Sequence, residues 1–169
     1  NATYPRNSTY GKSFFEVSLE NFNENVNLHL GSAFLFMREC ANYFETLKTA
    51  FSLVNVASIY GVVAPNFDVY KNTNMTMPVE YAAIKSAILH LSKYTASYIN
   101  NSDFRVNSVS PGGIFDNQPE KFLDAYKSQT HGSGMLDVTS VLGGIEFLLS
   151  SQSKYMTGQN IVIDDGFTL

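Results

Sequence analysis

Three short apolar runs rich in β-branched and aromatic residues punctuate the chain: Phe51 to Ala57, Phe104 to Ser110, and Ile161-Val162-Ile163. The stretches between them are long enough to hold helices, and this spacing is the tightest constraint on the fold. Consecutive strands joined by helical crossovers lie parallel in one sheet, because a parallel pair needs such a crossover whereas a hairpin needs only a few residues. Near-continuous apolar runs, rather than alternating ones, mean that both faces of the strands are covered. The expected class is α/β, a doubly wound parallel sheet with helices on both sides. Ser18 can cap a helix starting at Leu19, in which Phe22, Val26, Leu30, Phe34 and Met37 keep a helical period to about Thr46. A second helix spans about Val79 to Ile99, with Ile84, Ala87, Ile88 and Leu91 facing inward. Pro119 can open a short helix to about Gln129, and Asp137 can cap another carrying Val141, Ile145 and Leu148. Residues 1–17 and 58–78 read as loops, the second long and polar.

Composition bounds the function classes. A chain of 169 residues, 44% hydrophobic and 15% charged, suits a single domain over 1–169 with a real core and is not a disordered segment. A net charge of -4 gives no basic footprint for nucleic acid. Cys40 is the one cysteine, so no internal disulfide forms, which suits a reducing compartment and a cytoplasmic location. His29, His90 and His131 are scattered and make no metal-ligand pattern. No uninterrupted apolar run reaches the ~20 residues of a membrane span.

Tyr81 and Lys85 lie four apart on the second helix and therefore share a face. That pair alone is weak, since about half of one Tyr-x-x-x-Lys is expected by chance in a chain of this composition. Its surroundings strengthen it. Ser58 follows the end of the first strand, and Pro111-Gly112-Gly113 follows the second. Ligands of open parallel sheets bind outside the carboxyl ends of the strands, so Ser58, the Pro-Gly turn and the Tyr/Lys helix converge on one rim.

Five segments in order resemble the short-chain dehydrogenase/reductase family. They are Val26-Asn27-Leu28; Asn55-Val56-Ala57-Ser58 with Gly61; Tyr81-Ala82-Ala83-Ile84-Lys85-Ser86-Ala87; Arg105-Val106-Asn107-Ser108-Val109-Ser110-Pro111-Gly112-Gly113; and Thr157-Gly158-Gln159-Asn160-Ile161. The resemblance implies a Rossmann-like fold and an NAD- or NADP-dependent oxidoreductase moving hydride between the nicotinamide and a carbonyl or secondary alcohol. It implies Tyr81 as general acid/base and Lys85 as the cation that lowers the Tyr81 pKa and holds the nicotinamide ribose. Ser58 would bond the substrate oxygen and Asn27 would anchor a water in a proton relay. Pro111, Gly112 and Ile114 would line the nicotinamide site. Asn1-Ala2 resembles the end of a further cofactor-side motif, with Thr3 replacing its glycine. No Gly-rich dinucleotide turn precedes these motifs, so the N-terminal β-α units of the family's fold are expected to be missing from this chain, which alone would be inactive. Asp116 stands where the family often has threonine, and Asp164-Asp165-Gly166 replaces a commoner Asp-Gly-Gly.

Within the family, Tyr60 to Pro65, Met77 to Tyr81 and Gly113 to Pro119 look like bacterial reductases of surface-sugar and flagellin-modification clusters, implying a sugar-derived small-molecule substrate. Fatty-acyl or steroid substrates are the alternative, and a non-catalytic binding relative is the competing class. The loop 62–77, with Phe67, Tyr70, Met75 and Met77, is expected to be a substrate lid, mobile without ligand. Phe34, Leu35, Phe36, Met37, Tyr43 and Phe44 cannot all face one sheet, nor can Leu89, Tyr94 and Tyr98 all join the Ile84/Ile88/Leu91 stripe. A homodimer or homotetramer through these two helices follows, as the resemblance also implies.

Overall fold

The computed structural model describes residues 12–169. Three strands, β1 (Phe51–Val56), β2 (Phe104–Pro111) and β3 (Asn160–Ile163), form one parallel sheet in the order β1-β2-β3. The helices are α1 (Leu19–Asn25), α2 (Ser32–Leu47), α3 (Val79–Ile99), α4 (Glu120–Lys127) and α5 (Leu142–Leu149). Side chains alternate across a strand, and their partners show which helix covers which face. Leu53 and Asn55 on β1, with Phe104 and Val106 on β2, meet α2 and α3, where Phe44 packs on Phe104 at a ring separation of 5.1 Å. On the opposite face Ser52 and Arg105 bond the Leu148 carbonyl of α5, at 2.9 and 3.0 Å. Helices therefore flank the sheet on both sides, the arrangement that the strand spacing predicts and that the resemblance describes as Rossmann-like.

The first long helix is not continuous. A π-helical stretch, Val26–Gly31, separates α1 from α2. The predicted stripe largely holds across it, since Val26 and Leu30 pack against the core that buries Met37. Met37, Cys40 and Phe44 are buried, but Phe34, expected on the inner face, is 47% exposed, and Asn25 is fully buried. A second correction concerns residues 58–78, which are not a plain polar loop. Two 3-10 turns, Ile59–Gly61 and Phe67–Tyr70, bury Ile59, Tyr60, Val69 and Tyr70 against Phe122 and Tyr126 of α4. Asn66 starts the second turn by accepting the Asp68 amide at 3.0 Å. The segment expected to be a lid is thus anchored at its middle.

Between α3 and the sheet lies a short polar chain. Ser92 Oγ accepts from Asn55 Nδ2 (3.0 Å) and from Ser108 Oγ (3.2 Å) and donates to the Ile88 carbonyl (2.8 Å). That uses the hydroxyl's full bonding capacity, and it fixes α3 across β1 and β2. Replacing Ser92 by alanine strands two buried donors, which costs about 1–3 kcal/mol. Ser92→Ala is expected to lower the unfolding free energy by that amount in urea denaturation; an unchanged midpoint and slope would show that the chain of bonds is dispensable.

Candidate active site

β1 ends at Val56, and Ser58 starts the turn that turns back onto α3. Ser58 Oγ accepts the Tyr60 amide at 3.2 Å, closing the turn. The turn sits so close to α3 that a Cβ on Gly61 would lie 2.7 Å from the Lys85 carbonyl carbon and oxygen. Backbone contact at that distance excludes every side chain, and it delivers Ser58 to Tyr81, whose phenol it hydrogen-bonds. The Lys85 ammonium reaches the Val56 carbonyl at 3.0 Å and stands 5.6 Å from the centre of the Tyr81 ring. One helical turn apart on α3, Tyr81 and Lys85 face the same cleft.

Opposite them runs the turn after β2. Gly112 donates to the Ile163 carbonyl of β3 at 2.8 Å, and Gly113 donates to the Tyr126 phenol at 2.6 Å. Ile114 pairs with Leu136 in an isolated parallel bridge. Ser58, Tyr81, Lys85, Pro111, Gly112 and Ile114 all line one cleft of about 490 Å³. Tyr60, Tyr70, Met75, Met77, Phe122, Tyr126 and Met135 also line it. Lys85 and Asp116 are its charged side chains.

Not every expected residue joins this group. Asn27 sits in the π-helical stretch, exposed and outside the cleft lining. Asn1 and Ala2 lie outside the described residues. Residues that the sequence did not single out do contribute. Tyr126 holds the Gly113 amide, and its spacing of four from Phe122 on α4 is the one sequence sign that the two share a face. Glu80, next to Tyr81, is fully buried and accepts from Asn25 Nδ2 at 3.2 Å, tying α1 to the start of α3. Among the described residues, no group of three His, Cys, Asp or Glu side chains is placed to hold a metal ion.

The electrostatics of the cleft differ from the expectation that Lys85 lowers the Tyr81 pKa. Burial pushes the Tyr81 phenol up, and the Ser58 hydrogen bond opposes this. Burial likewise pulls the Lys85 ammonium down. A desolvated cleft disfavours charge on both groups, and the ammonium is drawn to the Val56 carbonyl.

Known proteins match the chain over its length. A family model described as enoyl-(acyl carrier protein) reductase matches residues 1–168. Post-translational flagellin modification protein A of Campylobacter coli is 41% identical over 170 residues, covering 100% of this chain and 66% of that protein. The 7alpha-hydroxysteroid dehydrogenase of Bacteroides fragilis is 28% identical over 99% of this chain and 61% of its own length. Among solved structures, a short-chain dehydrogenase from Leptospira borgpetersenii with bound NAD+ superposes with a TM-score of 0.86 at 37% identity, over 94% of this chain and 60% of that one. The chain therefore spans about three-fifths to two-thirds of the length of these relatives.

The buried phenols set a pH limit on stability. Burial pushes Tyr126 up to about 12, above the ~10 of an unfolded tyrosine, and Tyr60, Tyr70 and Tyr81 shift upward too. A raised folded pKa means the folded state holds its protons longer, so the stabilisation is complete below pH ~10 and is lost as pH rises through the folded values. The melting temperature is expected to fall steeply between about pH 10 and 12; a melting temperature that stays flat across that window would contradict it.

Proposed function

The chain belongs to the short-chain dehydrogenase/reductase family, and on that premise we propose that the whole protein is an NAD(P)-dependent oxidoreductase acting on a carbonyl or secondary alcohol. The observation that carries this reading is the convergence of Ser58, Tyr81 and Lys85 on one cleft at the carboxyl rim of the parallel sheet. When bound, the nicotinamide supplies or accepts the hydride at the reacting carbon. Tyr81 gives its phenol proton to the substrate oxygen in reduction and takes it back in oxidation. Ser58, already bonded to that phenol, turns its hydroxyl to the same oxygen. Lys85 has three N–H donors, of which the Val56 carbonyl takes one. The remaining two fit the vicinal hydroxyls of a ribose, which supports Lys85 as the anchor for the nicotinamide ribose. Pro111, Gly112 and Ile114 form the wall against which the nicotinamide would rest; the proton-relay water given to Asn27 rests on the family resemblance alone, because Asn27 does not line the cleft.

The likeness of Tyr60 to Pro65, Met77 to Tyr81 and Gly113 to Pro119 to surface-sugar reductases supports a sugar-derived substrate, and the flagellin-modification relative supports a part in flagellin modification. No helix among the described residues is long and apolar enough to cross a membrane, and the buried free thiol of Cys40 suits the cytoplasm. The intact Ser58, Tyr81 and Lys85 speak against a non-catalytic relative.

Two measurements test this reading. In the whole protein, Tyr81→Phe keeps the ring and removes the proton donor, so turnover is expected to drop by roughly 10²–10⁴-fold while cofactor affinity holds; Lys85→Ala is expected to damage both. Near-normal turnover in Tyr81→Phe would refute the assignment.

Assembly is the second part of the proposal. On α2, Phe34, Leu35, Phe36 and Tyr43 are exposed, and on α3 the stacked rings of Tyr94 and Tyr98, 6.1 Å apart, are 61% and 76% exposed. Apolar faces of this size on two neighbouring helices suit a second copy of the chain about a two-fold axis. Light scattering of the whole protein at micromolar concentration is expected to give a dimer or tetramer; a stable monomer would reject it.

A further inference from the structure

Two tyrosines that the proton transfer above does not use line the same cleft. Tyr60 follows Ser58 by two residues, and its amide donates to Ser58 Oγ at 3.2 Å, so one turn fixes both. Tyr70 comes from the second 3-10 turn, and its hydroxyl donates to the Tyr60 hydroxyl at 3.2 Å. Both are buried, at 7% and 8% exposure, and both line the cleft. Their rings are held by neighbours: Phe167 stands edge-on to Tyr60 at 6.3 Å, and Phe122 lies 5.3 Å from Tyr70. Neither phenol is there merely to fill space, because phenylalanine fills the same volume without a buried polar atom.

The bonding capacity of the pair is unevenly used. A phenol has one hydrogen to give. Tyr70 gives its own to Tyr60, whereas the Tyr60 hydrogen meets no acceptor among the described residues. A buried donor is destabilising unless something satisfies it, and a cleft is where a ligand can do so. Burial pushes the Tyr60 phenol up, the Tyr70 hydrogen bond works against this, and the nearby Tyr81 phenol adds to it. Tyr60 therefore stays protonated and able to donate, within electrostatic reach of the group that exchanges the substrate proton. The wall around the pair is uncharged and soft, formed by Met75, Met77, Met135 and Phe122.

We infer that Tyr60, oriented by Tyr70, binds a second oxygen of the substrate beside the reacting carbon, so that the substrates are vicinal diols and the matching α-hydroxy ketones rather than isolated alcohols. This rests on the reading of Tyr81 as the acid/base group. It names Tyr60 as a specificity-determining residue and Tyr70 as a positioning residue that acts through it. A site built to bond a hydroxyl rejects an analogue that lacks it far more strongly than an apolar pocket rejects a small size difference.

The test compares kcat/KM for trans-1,2-cyclohexanediol and cyclohexanol in the whole protein with saturating NAD+ or NADP+. The wild type is expected to prefer the diol by roughly 100-fold or more. In Tyr60→Phe the preference is expected to fall to within about tenfold of unity. Tyr70→Phe should lie between the two, because Tyr60 keeps its hydroxyl but loses its guide. A ratio taken within one preparation cancels any loss of folded protein, and cofactor affinity reports separately on the integrity of each variant. No diol preference in the wild type, or an unchanged preference in Tyr60→Phe, overturns the inference. So does turnover of neither alcohol when the cofactor binds. Undiminished turnover in Tyr81→Phe overturns the underlying reading, and this inference with it.

Discussion

The turn after β1 lies backbone against backbone on α3, and the site depends on that contact. Position 61 touches the Lys85 peptide so closely that only glycine leaves room. Because the turn cannot move away, Ser58 meets the Tyr81 phenol, Tyr60 is fixed beside it, and the Val56 carbonyl comes within reach of the Lys85 ammonium. A single substitution at Gly61 would have to open this contact by several tenths of an ångström, and close packing transmits such a shift rather than absorbing it. Polar groups from two chain segments, the turn after β1 and α3, are thus placed by a contact that contains no polar side chain.

β2 plays the corresponding part on the other side of the cleft. Arg105 bonds the Leu148, Ser150 and Ser153 carbonyls, collecting the end of α5 and the turn that follows it. Asn107 donates to the Met156 carbonyl and accepts the Gln159 amide, while Thr157 Oγ1 accepts the Val106 amide and Gly158 donates to the Val106 carbonyl. Two of the segments that resemble the family, Arg105 to Gly113 and Thr157 to Ile161, are therefore largely one structural joint. They bring β3 into register beside β2 and so seat Gly112 on the Ile163 carbonyl. Their chemical effect is indirect: they hold the Pro111-Gly112 wall at a fixed distance from Tyr81.

Much of this was legible in the sequence because it obeys local periodicity. Long helices announce themselves by a 3.6-residue period and buried strands by apolar runs, and α3 falls on the expected Val79–Ile99. What escaped were features set by non-local contacts. The π-helical stretch at Val26–Gly31 has no composition of its own, and Asn27 within it is exposed. The segment 58–78 looked like a loop because Pro65, Pro78 and several Asn and Thr interrupt it, but its aromatic and aliphatic residues keep no helical or strand period and still anchor it once α4 supplies Phe122 and Tyr126. Fully buried Glu80 was equally invisible, since a glutamate in a first helical turn is ordinarily a solvated partner of the helix dipole.

The cleft's low polarity sharpens the acid/base problem instead of solving it. Bringing a phenol from its ordinary pKa of ~10 to neutrality takes about 4 kcal/mol, which a unit charge at ~4 Å supplies at an effective dielectric of ~20. Here desolvation works the other way on both members of the pair, raising Tyr81 and lowering Lys85. The ammonium stands 5.6 Å from the phenol ring centre and is turned to the Val56 carbonyl, so its charge does not yet act at close range. Each buried group favours its neutral form, and the arrangement is poised: any positive charge entering the cleft stabilises the phenolate, and any hydroxyl that engages Lys85 stabilises the ammonium. Under the proposed role of Tyr81, its acidity is then tied to occupancy of the site, which would confine proton exchange to the moments when a substrate oxygen is there to take part.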